Sequence, residues 1–226
     1  MVNQTNSSSR RVAEITRLLE KHFGEPVREQ GADFLEDLIW TLLSQNTNDK
    51  NAETAYKRLR KRFPAWSDLA DARLSSIEAA VRPAGLGHQK ATHIKSILQW
   101  VRTTFGDFDL NFLCSRPPEQ VRDMFLALKG IGVKTISVTL MACCGHNVFP
   151  VDTHVHRICR RLQLVPEGAS AEKTHWLMQP LVPQGKAYSL HINLLRLGRT
   201  ICSARRPDCL SCPLNKRCPS AVMHTE

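Results

Sequence analysis

The chain has 226 residues, 42% of them hydrophobic, enough to bury one large core or two small ones. Lys and Arg outnumber Asp and Glu by 31 to 21, a formal charge of +10 that favours a polyanionic partner, nucleic acid foremost. No apolar stretch approaches the roughly 20 residues that cross a bilayer, and no secretory apolar segment opens the chain, so no membrane partner is expected.

The polar opening, Met1 to Ser9, is expected to be disordered. Helical periodicity then dominates, and no run alternates as a strand. Val12, Ile15, Leu18, Leu19 and Phe23 share one helix face, which Gly24 and Pro26 end. Phe34, Leu35, Leu38, Ile39, Leu42 and Leu43 mark a more buried helix. Asp49 is placed to cap a third, carrying Ala52, Ala55, Tyr56, Leu59 and Phe63, with a basic outer face of Lys57, Arg58, Arg60, Lys61 and Arg62. Short helices follow around Leu69 and Ile77, then a longer one through Ile94, Ile97, Leu98, Val101 and Phe105. Pro118 suits the first turn of the next, and further helices are predicted over 134–144, 153–163, 171–181 and 186–199. The pattern is all-α, about ten helices, with no repeat and no low-complexity linker. Cys114, Cys143, Cys144 and Cys159 lie in apolar segments and read as reduced core residues in a reducing compartment.

Leu128-Lys129-Gly130-Ile131-Gly132-Val133-Lys134-Thr135 separates two of these helices. Gly-x-Gly permits a tight hairpin, and the helix that follows starts with free N–H groups that attract a phosphate whatever the base. A plain interhelical turn is the competing reading. Lys134 opens that helix, where the dipole and partial burial favour a neutral, nucleophilic amine. A phosphate-binding or solvated lysine is the alternative. Asp152 follows 18 residues later, in Val151-Asp152-Thr153-His154-Val155 at the start of another helix. Its default role is the N-cap, and its spacing also permits it to share a cleft with the amine. His154 and His156 read as packing or hydrogen-bonding residues. Near the end, Cys202, Cys209, Cys212 and Cys218 are spaced C-x6-C-x2-C-x5-C. One compact run of unequal spacings suits an iron–sulfur cluster, against a zinc knuckle or disulfides.

Together these segments resemble the endonuclease III family of helix-hairpin-helix DNA glycosylases. The hairpin is similar to L-P-G-[IV]-G-x-K-T with Lys129 in place of proline, and Val151–Val155 is similar to V-D-T-H-[IV]. The cysteine spacing matches the family's [4Fe–4S] loop. Leu42–Asp49 resembles L-L-S-x-Q-x-T-D with the glutamine displaced by one, and Gly85, Leu86, Lys90 and Ala91 resemble G-L-x-x-x-K-A. The similarity spans about residues 10–220.

The resemblance implies two helical domains with a DNA-binding cleft between them: a six-helix barrel bearing the hairpin (33–147), and a domain of 11–32 plus 148–226 holding a [4Fe–4S] cluster on Cys202, Cys209, Cys212 and Cys218. Residues 1–10 would stay disordered. It implies Lys134 as nucleophile and Asp152 as the essential carboxylate of a glycosylase and abasic-site lyase. Asn46 or Gln45, together with Leu86, would fill the gap left by an extruded base. His88, Leu128, Gly130, Ile131, Gly132 and Thr135 complete the expected DNA contacts. The expected partner is double-stranded DNA with damaged bases, oxidised pyrimidines above all, or abasic sites, bound by a monomer. Location would be cytoplasmic with the nucleoid in a prokaryote and nuclear in a eukaryote. The alternatives are a monofunctional mismatch glycosylase, which usually lacks the lysine, and a non-catalytic DNA-binding module.

Overall fold

A computed structural model describes residues 2–221, with side chains from residue 7 onward. Among those residues there are eleven α-helices and no strand. They are α1 (Val2–Phe23), α2 (Phe34–Leu43), α3 (Asp49–Arg62), α4 (Trp66–Asp71), α5 (Leu74–Val81), α6 (Gly87–Phe105), α7 (Pro118–Leu126), α8 (Val133–Ala142), α9 (Thr153–Arg161), α10 (Ala171–Met178) and α11 (Ala187–Thr200). Two compact units form: a central one of residues 30–144, and a terminal one from the described residues on either side of it.

In the central unit α2 is the buried spine. Phe34, Leu35, Leu38, Ile39, Leu42 and Leu43 are fully buried, each worth about 1.5–3 kcal/mol by leaving water. The helix packs against α3 and α8, while α5 packs against α3 and α6. The Phe125 ring of α7 lies 5.5 Å from Phe34 in a tilted contact and 5.2 Å from Trp100 in an edge-to-face one, closing the core. Asp33 caps α2 by accepting the Glu36 N–H at 2.8 Å. Asn48, and not Asp49, caps α3: its extended backbone lets the side chain accept the Asn51 N–H at 2.9 Å. Asp49 is instead the first helical residue, where its charge meets the positive dipole end.

Two cysteines expected to be reduced are joined. Cys114, in the turn Asn111–Ser115, forms a disulfide with Cys144 just past α8. Thirty residues of sequence separate them, so only the packing of that turn near the end of α8 reveals the pair. Cys143 keeps its thiol, which donates to the Ala32 carbonyl at 3.0 Å. Cys159 is a buried thiol, and burial pushes its pKa up to about 12.

In the terminal unit α1 packs on α11 through Val12, Ile15 and Leu19, and α9 packs on α10 and α11. The opening segment departs from expectation. Residues 2–10 continue α1 without a Gly or Pro to stop the ladder, so they extend a helix nucleated by the packed turns that follow. Met1 lies outside the described residues. α9 and α11 approach closely at Gly198, where a Cβ would come within 2.8 Å of the His154 Cβ.

Candidate active site and metal centre

The hairpin between α7 and α8 depends on Gly130 for both conformation and space. Gly130 has φ +91°, and a Cβ there would lie 2.3 Å from Nδ1 of His93. Gly132 is extended at φ −102°, begins α8 without a side-chain cap, and would meet nothing within 4 Å if it carried a Cβ. That side of the turn is open to an approaching chain. Ile131, 5% exposed, anchors the turn in the core, and Leu128 is half-buried beside it.

Lys134 stands half-buried in the first turn of α8, with the buried Thr135 next to it. Across from α8, α2 presents Asp37, a residue the sequence patterns do not mark. Burial raises the pKa of the Asp37 carboxyl, while the Thr139 hydroxyl and the Lys134 charge oppose that rise. Its Oδ2 is buried without a hydrogen-bond partner. The amine of Lys134 thus works in the field of a largely buried acid on the neighbouring helix.

Two loops of the same unit carry the expected gap-filling residues. The Gln45 amide donates to the Gly130 carbonyl at 3.1 Å and to Thr135 Oγ1 at 2.9 Å, so this side chain is spent on the hairpin. Asn46 beside it is exposed, with φ +52°. Leu86 is 54% exposed with φ +50°. Left-handed backbone costs a non-glycine residue about 1–2 kcal/mol, and such strain concentrates at functional tips. His88 is exposed and contacts Glu78 Oε2 at 3.0 Å through Nδ1. Behind both tips lies Lys90, only 4% exposed. Its Nζ donates to the carbonyls of Leu43 (2.7 Å), Gln45 (2.8 Å) and Ala84 (2.8 Å). Burial lowers the pKa of this amine, yet an ammonium has three protons and each meets a carbonyl oxygen here.

In the terminal unit Asp152 caps α9. Its Oδ1 accepts the Val155 N–H at 2.8 Å, and its charge reaches the buried Cys159 thiol. His154 Nδ1 lies 3.1 Å from Nη2 of Arg157, and His156 Nδ1 lies 2.9 Å from the Thr174 hydroxyl. Both histidines therefore have the hydrogen-bonding role expected of them.

Cys202, Cys209, Cys212 and Cys218 form no disulfide and line one small cavity together. Arg161 of α9 reaches into this wall, donating to Cys202 Sγ at 3.1 Å and to the Ser203 carbonyl at 2.7 Å. Arg157 donates to the carbonyls of Cys202 (2.8 Å) and Gly198 (2.9 Å). Burial, with repulsion from the other sulfurs, pushes Cys212 up to about 11 and raises Cys209 and Cys218 as well. Four sulfur donors whose negative charges oppose one another suit a cationic centre, and the arrangement fits a four-thiolate metal site.

Residues 39–184 match the HhH-GPD superfamily of base excision DNA repair proteins. An Arabidopsis thaliana protein provisionally named a DNA glycosylase is 38% identical over 169 residues, 75% of this chain and 57% of that protein. Endonuclease III of Sulfolobus acidocaldarius is 31% identical over 183 residues, covering 80% of this chain and 79% of the enzyme. Endonuclease III of Thermotoga maritima is 30% identical over 207 residues, 92% of each. The chain therefore spans little more than half of the plant relative and most of the two prokaryotic enzymes. A solved non-covalent endonuclease III–DNA complex shares the fold, with TM-score 0.82 at 24% identity, over 95% of this chain and 97% of that one. A hairpin leading into a lysine-bearing helix, an aspartate-capped helix and a four-cysteine loop accompany these matches, and the chain belongs to the endonuclease III family of helix-hairpin-helix base excision DNA repair proteins.

Proposed function

We propose that the protein is a bifunctional DNA glycosylase and abasic-site lyase acting on duplex DNA, with oxidised pyrimidines as the substrate class that its family favours. The observation that carries this reading is Lys134, an amine held half-buried in the first turn of α8 directly behind the Gly130–Gly132 turn. The open face at Gly132 and the positive end of α8 suit a backbone phosphate. The sugar carbon under attack is hidden while its nucleotide stays stacked, so the damaged nucleotide must leave the helix. Asn46 suits the orphaned partner base and Leu86 suits the apolar wedge, since both stand exposed on strained tips.

In the reaction, the Asp152 carboxylate stabilises positive charge developing on the deoxyribose as the bond to the base breaks. With Asp152 helping to deprotonate it, the Lys134 amine forms the new bond to C1′, the base departs with the bonding electron pair, and the proton that the nitrogen then sheds neutralises the departing base. Ring opening gives a Schiff base, which acidifies the C2′ proton. Loss of that proton expels the 3′ phosphate, and water then releases Lys134. On the four cysteines a [4Fe–4S] cluster would cross-link the loop by coordination, a structural contribution. Arg205, Arg206 and Lys216 around it are exposed and suit backbone phosphates, whereas Arg217 pairs with Glu14 at 2.8 Å.

Borohydride reduction in the presence of abasic duplex DNA tests the reading. A covalent adduct that depends on Lys134 is expected. Base release by wild-type protein with no adduct would instead identify a monofunctional glycosylase.

A further inference from the structure

We propose that Lys90 is a positioning residue that sets the two gap-filling tips with a single ammonium, an inference that rests on the roles given above to Asn46 and Leu86. Its side chain is buried, and its Nζ spends all three protons on main-chain carbonyls, that of Leu43 at the end of α2 and those of Gln45 and Ala84 in two separate loops. The Gln45 carbonyl belongs to the peptide that enters Asn46, and the Ala84 carbonyl lies two residues ahead of Leu86. The Lys90 backbone N–H holds the second loop again, donating to the Leu86 carbonyl at 2.9 Å. One residue thus grips the chain on both sides of the Leu86 tip and immediately before the Asn46 tip.

The arrangement matters because both tips hold left-handed backbone at non-glycine residues, φ +52° and +50°. Left unclamped, each would relax toward ordinary geometry, and the two would vary independently. A common anchor keeps their separation fixed before DNA arrives, so less ordering remains to be done on binding. Charge-assisted hydrogen bonds suit this task better than neutral ones, being shorter and stronger.

Lys90→Met keeps the apolar stem and removes all three donors. In single-turnover assays on duplex DNA its base excision is expected to fall about tenfold or more, with a matching loss of 2-aminopurine fluorescence opposite the lesion. Borohydride trapping on a single-stranded abasic oligonucleotide needs no gap filled, and is expected to stay within about twofold of wild type. In an Asn46→Ala/Leu86→Ala background the same substitution should have little further effect on duplex excision. Lys90→Gln, with two donor hydrogens, should give an intermediate loss, and it takes over the test if the methionine variant does not fold. Duplex excision at the wild-type rate in a folded variant overturns the proposal. So does an equal loss on single-stranded and duplex substrates, which marks a general structural role. Wild-type protein that traps neither substrate would defeat the underlying lyase reading instead, a result distinct from both.

Discussion

The Gln45 amide nitrogen lies 3.1 Å from the Gly130 carbonyl oxygen, tying the loop after α2 to the turn ahead of Lys134. Two adjacent amides therefore have different work: Gln45 supports the hairpin, and Asn46 stands exposed. Gln45→Ala leaves the Gly130 carbonyl and the Thr135 hydroxyl without this partner and should cost about 1–3 kcal/mol in urea unfolding. Asn46→Ala should change stability by no more than about 0.5 kcal/mol while lowering excision from duplex DNA. If Gln45→Ala left stability intact and Asn46→Ala left excision intact, the two assignments would have to be abandoned.

Asp152 combines capping with the proposed chemistry, and two substitutions separate them. Asn is as good an N-cap as Asp, so Asp152→Asn should melt near wild type yet lose nearly all turnover. Asp152→Ala should lose turnover and also about 1 kcal/mol of stability. Substantial activity in a well-folded Asn variant would leave the carboxylate with capping alone.

Gly130→Ala places a methyl group against the His93 ring and also forces positive φ on a residue with a Cβ. A loss of about 2 kcal/mol or more is expected, of which His93→Ala should restore the steric share but not the conformational one. A thermal-melt cycle of the two substitutions reads both. Simple additivity would mean that the ring does not press on the turn.

Asp37 gives a pH dependence of defined sign. Its folded pKa is raised by burial above the ordinary 3.8, so the unfolded chain ionises it more readily and the penalty on folding is full above the folded pKa. The penalty shrinks as pH falls and vanishes below the unfolded value. Asp37→Asn should therefore melt no lower than wild type at neutral pH, and any gain should close as pH approaches about 4. A variant less stable at pH 7 than at pH 4, relative to wild type, would show that the Lys134 and Thr139 contacts outweigh burial.

Cys212→Ser should deplete bound metal and destabilise the loop, read by iron and sulfide content together with melting temperature. Comparable amounts of iron and sulfide in the wild-type protein are the expected result. Stoichiometric zinc would replace the cluster with a structural zinc site.

Much of this was visible in the residues themselves. The stripes Val12–Ile15–Leu19 and Ile94–Ile97–Leu98–Val101 become buried faces because a helix repeats every 3.6 residues, and local periodicity records that directly. The hairpin and the cysteine loop were legible for a similar reason: their chemistry lies within a few consecutive residues. Contacts between distant segments were not. The Cys114–Cys144 bond, the Asp37–Lys134 proximity and the Lys90 clamp each join residues whose own neighbours carry no sign of the partner. Asn48 displacing Asp49 as cap is subtler, since both types cap well and one step of backbone geometry decides.

α9 is a nine-residue rod with a different duty at each end. Its first turn is held by the carboxylate of Asp152, and its later turns send Arg157 and Arg161 into the cysteine loop. A short helix transmits displacement with little bending, so damage to the sulfur ligands would tug on the scaffold of the acid.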